Sequence, residues 1–387
     1  MSKRARGIVA HRIPLDLVVD ILVCLPAKSV LQFKCVCKEW YNLINSPLLH
    51  KLHLNKSLEP NSQHNNCILY WTTSILCVVD NLYDHPIKVT ELNWPITIED
   101  DDCIRQVDSC NGLICFDVST LPYYKIRSFL LCNLTTRTFK SIFPPSEKIW
   151  SQRGADSVLY SFGYDSEHDD YKIVVTRSLW TEDNRDSRIF IYSLKTNLWT
   201  SSYSPLTRIS TEGRLSNICQ AIFGHNMLHY LVETIKGFIE DYRIARFDVA
   251  DEKWTDDLSL PNQVKSIVRL GNLDGRLYVH ALNNYYSSTI IWMMEEDGSW
   301  KKMFQLPKEL HSQHLIACSK DGRRQHLLLQ DYDGPGDVLK WYDQQNNKRI
   351  PLNLKPPPKD RYAVMLCIAS LIRIPRCSLT KLQEMNK

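Results

Sequence analysis

"RIFIYSLKTNLWTSS", residues 188–202, reads as two strands and the turn between them. Apolar and polar residues alternate up to Leu194, Lys195-Thr196-Asn197 supplies the turn, and the chain returns through Trp199. A tryptophan at that place has the size to fill the gap between neighbouring sheets. The same eight-residue frame recurs without gaps as "CNLTTRTF" (132–139), "YSLKTNLW" (192–199), "FDVADEKW" (247–254), "MMEEDGSW" (293–300) and "YDQQNNKR" (342–349). Four of these five end on an aromatic, and a proline follows each: Pro144, Pro205, Pro261, Pro307 and Pro356. "KVTELNWP", ending at Pro95, is a more worn copy, and the proline steps are then 49, 61, 56, 46 and 49 residues. Such a period fits one four-stranded blade per unit, and six units fit residues 67–378. The expected domain is all-β and propeller-like with about six blades; an irregular pair of β-sandwiches is the alternative. A closed ring hides its sheet edges and leaves loops on two faces.

The preceding segment has a different period. In "IPLDLVVDILVCLP" (13–26), Leu17, Val18, Ile21, Leu22 and Leu25 recur at helical spacing, with Pro14 in the first turn and Pro26 as the stop. Ser29 is placed to cap a second helix carrying Val30, Leu31, Phe33 and Val36. A third helix is expected around Trp40, Leu43 and Ile44, with a break at Pro47. So few helices cannot hide Leu17, Ile21, Leu22, Leu31, Val36, Trp40 and Ile44 among themselves, so the β-domain or a partner must cover the surplus. The expected organisation is a disordered basic stretch 1–12, a small all-α module 13–57, a polar linker 58–66, the β-domain 67–378 and a tail 379–387.

Composition narrows the function classes. The chain has 387 residues, 44% hydrophobic and 23% charged, which is ordinary globular usage. Residues 1–60 hold nine Lys/Arg against four Asp/Glu, leaving 38 against 39 for the rest, so the β-domain has no nucleic-acid-like basic bias. The start "MSKRARGIVAHRIPLD" lacks an apolar signal core, and "MLCIASLIRI" (365–374) is too short for a membrane span. The thirteen scattered cysteines are expected to be small buried hydrophobes in a reducing compartment, so a cytoplasmic or nuclear location is expected.

No catalytic or metal constellation emerges. Cys35-x-Cys37 has no second pair at zinc-finger distance, and His50, His53, His311 and His314 lack matching thiols. There is no G-x-S-x-G and no phosphate-binding glycine loop; "DGPGD" (333–337) reads as a hairpin loop and "EDDD" (99–102) as a solvated turn. No cofactor, metal or catalytic residue is expected.

The helical segment resembles an F-box, the module that docks on the Skp-type adaptor of cullin ubiquitin ligases. The match runs through Ile13-Pro14, Leu17, Ile21-Leu22, Leu25-Pro26, Ser29, Leu31, Phe33, Val36-Cys37-Lys38, Trp40, Leu43-Ile44 and Pro47. Gln32 departs from the usual arginine. "SCNGLICF" (109–116), "FGYDSEHDDYKIVV" (162–175), "IFIYSLKTNLW" (189–199) and "LLLQDYDGPGDVLKWYD" (327–343) resemble the F-box-associated, kelch-like domain of plant F-box proteins, including the S-locus group. The sequence has no Gly-Gly pair, so the F-box-associated label fits better than kelch.

The resemblance implies an adaptor-binding set of Ile13, Pro14, Leu17, Ile21, Leu22, Leu25, Pro26, Leu31, Phe33, Val36, Cys37, Lys38, Trp40, Leu43 and Ile44, with Trp40 as anchor and the cysteines in or beside that surface. It implies a non-catalytic substrate receptor of a Skp-cullin-F-box ligase that directs a target protein to degradation, with an S-locus-type pollen role as one version. A propeller hydrolase with a helical appendage would instead place acidic or histidine side chains on the propeller axis. A non-degradative F-box scaffold is the third reading. Segments 99–108, 146–157, 180–188 and 283–288 are candidate target-binding loops, and the target is unknown.

Overall fold

The structure, a computed structural model, describes residues 13–375 apart from 60–65, 81–86, 122–124, 145–154, 181–184, 204–220, 225, 237–238, 262–263, 265, 274, 283–287, 311–312, 320–325, 331–338 and 353–362. The stretch 1–12, the 379–387 tail, "DGPGD" and His311 lie outside the described residues.

Among the described residues four helices come first: α1 (Leu15–Val23), α2 (Ala27–Gln32), α3 (Lys38–Ile44) and α4 (Pro47–Leu58), with a 3-10 turn at Phe33–Cys35. Pro14 and Pro26 cap α1 and α2. Ser29 therefore lies inside α2 rather than capping it, because Pro26 already fixes the extended residue before the helix. Cys37 caps α3, its Sγ accepting from the Trp40 amide at 3.4 Å. Ser46 caps α4 by accepting from Leu49 N at 3.2 Å, with Pro47 in the first turn where no amide is needed. α4 runs on to Leu58, so the expected linker begins inside a helix.

Among the described residues, twenty-four strands then form six four-stranded sheets. The first blade holds β1 (Asn66–Trp71), β2 (Leu76–Asp80) and β3 (Lys88–Leu92). The second holds β4 (Asp102–Cys110), β5 (Leu113–Thr120), β6 (Lys125–Asn133) and β7 (Thr138–Ile142). In the third are β8 (Ala155–Asp165), β9 (Asp170–Trp180), β10 (Arg185–Ser193) and β11 (Leu198–Tyr203), and in the fourth β12 (Ala221–Gly224), β13 (Met227–Lys236), β14 (Ile239–Asp248) and β15 (Lys253–Leu258). The fifth has β16 (Ser266–Leu273), β17 (Arg276–Leu282), β18 (Ser288–Met294) and β19 (Trp300–Pro307). The sixth has β20 (His314–Cys318), β21 (His326–Gln330), β22 (Leu339–Asp343) and β23 (Lys348–Pro351). β24 (Ala363–Ile368) returns to pair with β1, giving the first sheet the order β24-β1-β2-β3 and closing the ring. The architecture is a six-bladed β-propeller behind a helical module.

The recurrent octet is the turn joining the third and fourth strands of blades two to six. Its sixth residue is left-handed in all five copies: Arg137 (φ 53°), Asn197 (61°), Glu252 (54°), Gly298 (80°) and Asn347 (48°). Its second residue, where polar, accepts from amides just ahead, as when Asn133 Oδ1 takes Thr135 N at 2.9 Å and Asp248 Oδ1 takes Ala250 N at 2.8 Å. First and eighth residues face each other across the hairpin at Cys132 and Phe139, Tyr192 and Trp199, Phe247 and Trp254, and Tyr342 and Arg349. Trp199 reaches the next sheet, with its ring 6.0 Å from Phe129 and Nε1 donating to Phe143 O at 2.9 Å. Trp300 Nε1 likewise donates to Ser259 O, just past the preceding blade.

Beyond β24 the chain crosses onto the helices. Ala369 and Leu371 join Val18, Leu22, Ala27, Val30, Ile44 and Leu49 in one apolar cluster. Asn133 Nδ2 holds that segment by donating to Ser370 O at 3.2 Å and Ile372 O at 2.8 Å. Gly112 (φ 80°) permits the approach, since a Cβ there would stand 2.3 Å from Ser370 Oγ. Arg373 donates to Asn45 Oδ1, and Lys28 pairs with Asp80 of the first blade, each at 2.5 Å. The helical module thus shares a core with the ring.

Several expectations need correction. "EDDD" is more than a solvated turn: Asp102 is buried, and Arg127 binds both it and Glu99 at 2.8 Å. Of the candidate loops, 102–108 belongs to β4, 155–157 to β8, 185–188 to β10 and Ser288 to β18, since ladder pairing extends through them; 146–154, 181–184 and 283–287 lie outside the described residues. Cys67, Cys77, Cys110, Cys115, Cys132 and Cys367 are buried as expected, but Cys24, Cys35 and Cys37 of the helical module are exposed.

Candidate functional site

The helical module is apolar on two sides. One side of α1, bearing Val18 and Leu22, faces the shared core, while Leu17 and Ile21, one residue earlier in each turn, stay 50% and 49% exposed. Fourteen large hydrophobic side chains are exposed among the described residues, and nine sit in this module: Ile13, Leu15, Leu17, Ile21, Val36, Tyr41, Leu48, Leu52 and Leu58. A stretch of under fifty residues carrying most of the exposed apolar bulk marks a surface shaped for contact rather than for water.

The expected set divides by burial. Ile13, Pro14, Leu17, Ile21, Val36, Cys37 and Lys38 are exposed, and Leu25, Pro26, Leu31, Phe33, Trp40 and Leu43 are half-buried. Leu22 and Ile44 are 0% exposed, which corrects their assignment to the outer face: Ala369 and Leu371 share their cluster. Trp40 packs edge-to-face on Phe33 at 5.7 Å and 81°, so it supports the module as well as showing an edge. Sequence reading missed Leu15, Tyr41, Leu48 and Leu52. The four-residue spacing of Leu48 and Leu52, offset by one from the buried Leu49 and His53, was the signal available for two of them.

Two histidines hold this surface in shape. His50 Nε2 donates to Ile44 O and His53 Nε2 to Leu25 O, both at 2.9 Å. Burial holds both rings below the usual imidazole range. Burial, followed by the charge of Arg373, also lowers the Lys34 ammonium.

A second concavity runs along the propeller axis, a cavity of about 680 Å³ with Arg105, Asp108, Asp117, Tyr160, Arg269 and His314 in its wall. The end of α4, Ser57 and Leu58 with the capping Glu59, also lines it. Acidic and histidine groups do converge here, but the carboxylates are engaged by the fold. Asp117 pairs with Arg105 at 2.6 Å and accepts from Ser119. Asp108 accepts from Ser109 N at 2.7 Å and Phe223 N at 3.4 Å, tying β4 to β12, and burial pushes its carboxyl up to about 7. Burial and the charges of Arg269 and His280 hold His314 well below its ordinary range. Among the described residues no group of three or more His, Cys, Asp or Glu is placed to hold a metal ion, and no helix is long and apolar enough to cross a membrane.

Helical module and ring together define a substrate-recognition F-box protein. The sequence matches the F-box associated beta propeller domain family over residues 58–322 and the F-box domain family over residues 11–52, and the chain belongs to the F-box associated beta propeller family. It is similar to the F-box protein CPR1 of Arabidopsis thaliana, 28% identical over 396 residues that cover 93% of this chain and 88% of that one. It is also similar to the F-box/kelch-repeat protein At3g23880 of the same plant, 26% identical over 312 residues, 77% of this chain and 80% of that one. Among solved structures, an oligogalacturonate lyase in complex with manganese aligns at a TM-score of 0.42 and 10% identity, over 76% of this chain and 86% of that one.

Proposed function

We propose that this chain is the target-receptor subunit of a Skp-cullin-F-box ubiquitin ligase and has no catalytic step of its own. The exposed apolar side of the helices holds the Skp-type adaptor, and through it a cullin and a ubiquitin-charged conjugating enzyme. Loops at the faces of the ring hold a target protein, which is ubiquitinated for proteasomal degradation. Rate comes from tethering, which raises the effective concentration of target lysines near the activated thioester. A cytoplasmic or nuclear setting accords with this role. The pollen role implied by the S-locus resemblance is not part of the proposal, because no feature of the ring among the described residues points to it.

The observation that carries it is the two-sided helical module: its inner side is fixed to the ring through Ala369 and Leu371, while Leu17 and Ile21 remain outside. A receptor needs that arrangement, with one face docked on its own β-domain and the other available. The test is co-purification with a Skp-type adaptor of the wild-type chain and of a Leu17→Ala/Ile21→Ala variant whose fold is checked by circular dichroism. A one-to-one complex for wild type, and none for the folded variant, is expected. Wild type that stays alone, or a variant that binds as well, would overturn the reading.

A further inference from the structure

The ring is closed by β1 and β24, and at that seam Cys67 and Cys367 are directly opposed Cα partners. Their sulfurs stand 3.1 Å apart, and each also lies near the other residue's carbonyl, Cys67 Sγ at 3.6 Å and Cys367 Sγ at 3.5 Å. Both are free thiols and both are buried. Directly opposed residues of an antiparallel pair have Cα atoms about 4.5–5.5 Å apart, inside the range a disulfide spans. Bond formation therefore needs the sulfurs to approach by about 1 Å, with no movement of the strands.

From this geometry we propose that Cys67 and Cys367 are an oxidisable clasp, converted by hydrogen peroxide to a disulfide that locks the propeller seam. Peroxide is the oxidant because it is small and uncharged, and β24 forms part of the axial cavity wall, Cys367 included. The steps balance. Cys367 Sγ attacks one peroxide oxygen and the O–O bond breaks; the departing hydroxide takes the thiol proton and leaves as water. Cys367 is then a sulfenic acid. Cys67 Sγ attacks that sulfur, the S–O bond breaks, and its hydroxyl leaves with the Cys67 proton as a second water. Two thiols lose two electrons, and peroxide becomes two waters.

The local chemistry sets the pace. Its hydrogen bond with Cys67, then burial, holds the Cys367 thiol well above its ordinary range, so little of it is thiolate at neutral pH. Oxidation is accordingly slow and follows sustained exposure. Its effect is large, because the bond joins residues 300 apart and fixes the strand that leads directly to Ala369 and Leu371 beneath the helices. The clasp would secure ring and helical module together.

The test uses the full chain carrying Cys24→Ser, Cys35→Ser and Cys37→Ser, so that exposed thiols do not compete. After peroxide treatment, mapping of unreduced peptides should show a Cys67–Cys367 link, and the denatured thiol count should fall by two. Tm should rise by at least about 5 °C, reversed by dithiothreitol. Adding Cys367→Ser should abolish link and shift together. Absence of the 67–367 link when other cysteines are oxidised, or a link from Cys367 to Cys132 instead, overturns the assignment. The peptide map decides this even if the Cys367 variant does not fold.

Discussion

Tyr192 donates from its hydroxyl to Oδ1 of Asn197 at 2.6 Å, across the turn on which the third blade reverses. Tyr342 and Asn347 repeat the contact at 3.0 Å in the sixth blade. Asn197 Oδ1 also accepts from Lys140 Nζ of the neighbouring blade at 2.7 Å. A left-handed residue, a ring hydroxyl and a cation from the next sheet thus meet at one atom.

Asn197→Val should destabilise the ring by about 2–3 kcal/mol, since a β-branched residue is strained at that φ and both hydrogen bonds go. Asn197→Gly keeps the backbone conformation and should cost about half as much. Urea denaturation midpoints check the order; equal losses would mean the conformation matters less than the contacts.

Trp40 and Leu17 should separate support from contact. Trp40→Ala removes the ring packed on Phe33 and should lower the stability of the helical module by about 2–3 kcal/mol. Leu17→Ala, at a half-exposed site, should change it by less than about 0.5 kcal/mol while weakening adaptor binding. Hydrogen exchange of the α1 and α3 amides, read beside adaptor pull-down, distinguishes the two effects.

Arg105→Ala leaves the Asp117 carboxylate, 1% exposed, without its cation. A loss of about 2–4 kcal/mol is expected, below the upper range for buried pairs because the Arg105 side chain is 41% exposed. Removing both partners, Arg105→Ala/Asp117→Ala, should restore part of it. A double-mutant cycle on denaturation midpoints measures the coupling.

The histidines make the helical module acid-sensitive. His50 and His53 have folded pKa values below the ordinary 6.5, so below 6.5 the unfolded module binds more protons than the folded one. Stability should hold above that pH and fall as pH drops from 6.5 toward the folded values. Hydrogen exchange of α4, corrected for intrinsic rates, should show the decline between pH 7.5 and 5; His53→Gln should flatten it, and a pH-independent wild type would contradict the assignment.

The parts of this fold that were legible in the sequence are those whose causes are local. A polar residue that turns the chain, a left-handed residue four places on and an aromatic that returns lie within one octet, and their recurrence announced the blades. The pairing of Cys67 with Cys367 leaves no such mark, because its partner is 300 residues away. Helical spacing likewise shows that Leu17, Val18, Ile21 and Leu22 are all apolar, but not which pair meets Leu371; only the tertiary path after β24 decides that. The cavity wall draws Arg105, Arg269 and His314 from three separate blades, and no motif joins them.

Closing the ring with β24 also imposes an order of assembly. β1 is made early yet lacks its inner neighbour until every other strand has been synthesised, so its open edge must wait through most of translation. The same segment then supplies Ala369 and Leu371, without which α1 and α3 have no floor. A chain interrupted before β24 has an open seam and a loosely held helical module at once. Completion of the ring and presentation of the helices are therefore a single late event, and a chain cut short before β24 carries neither surface in finished form.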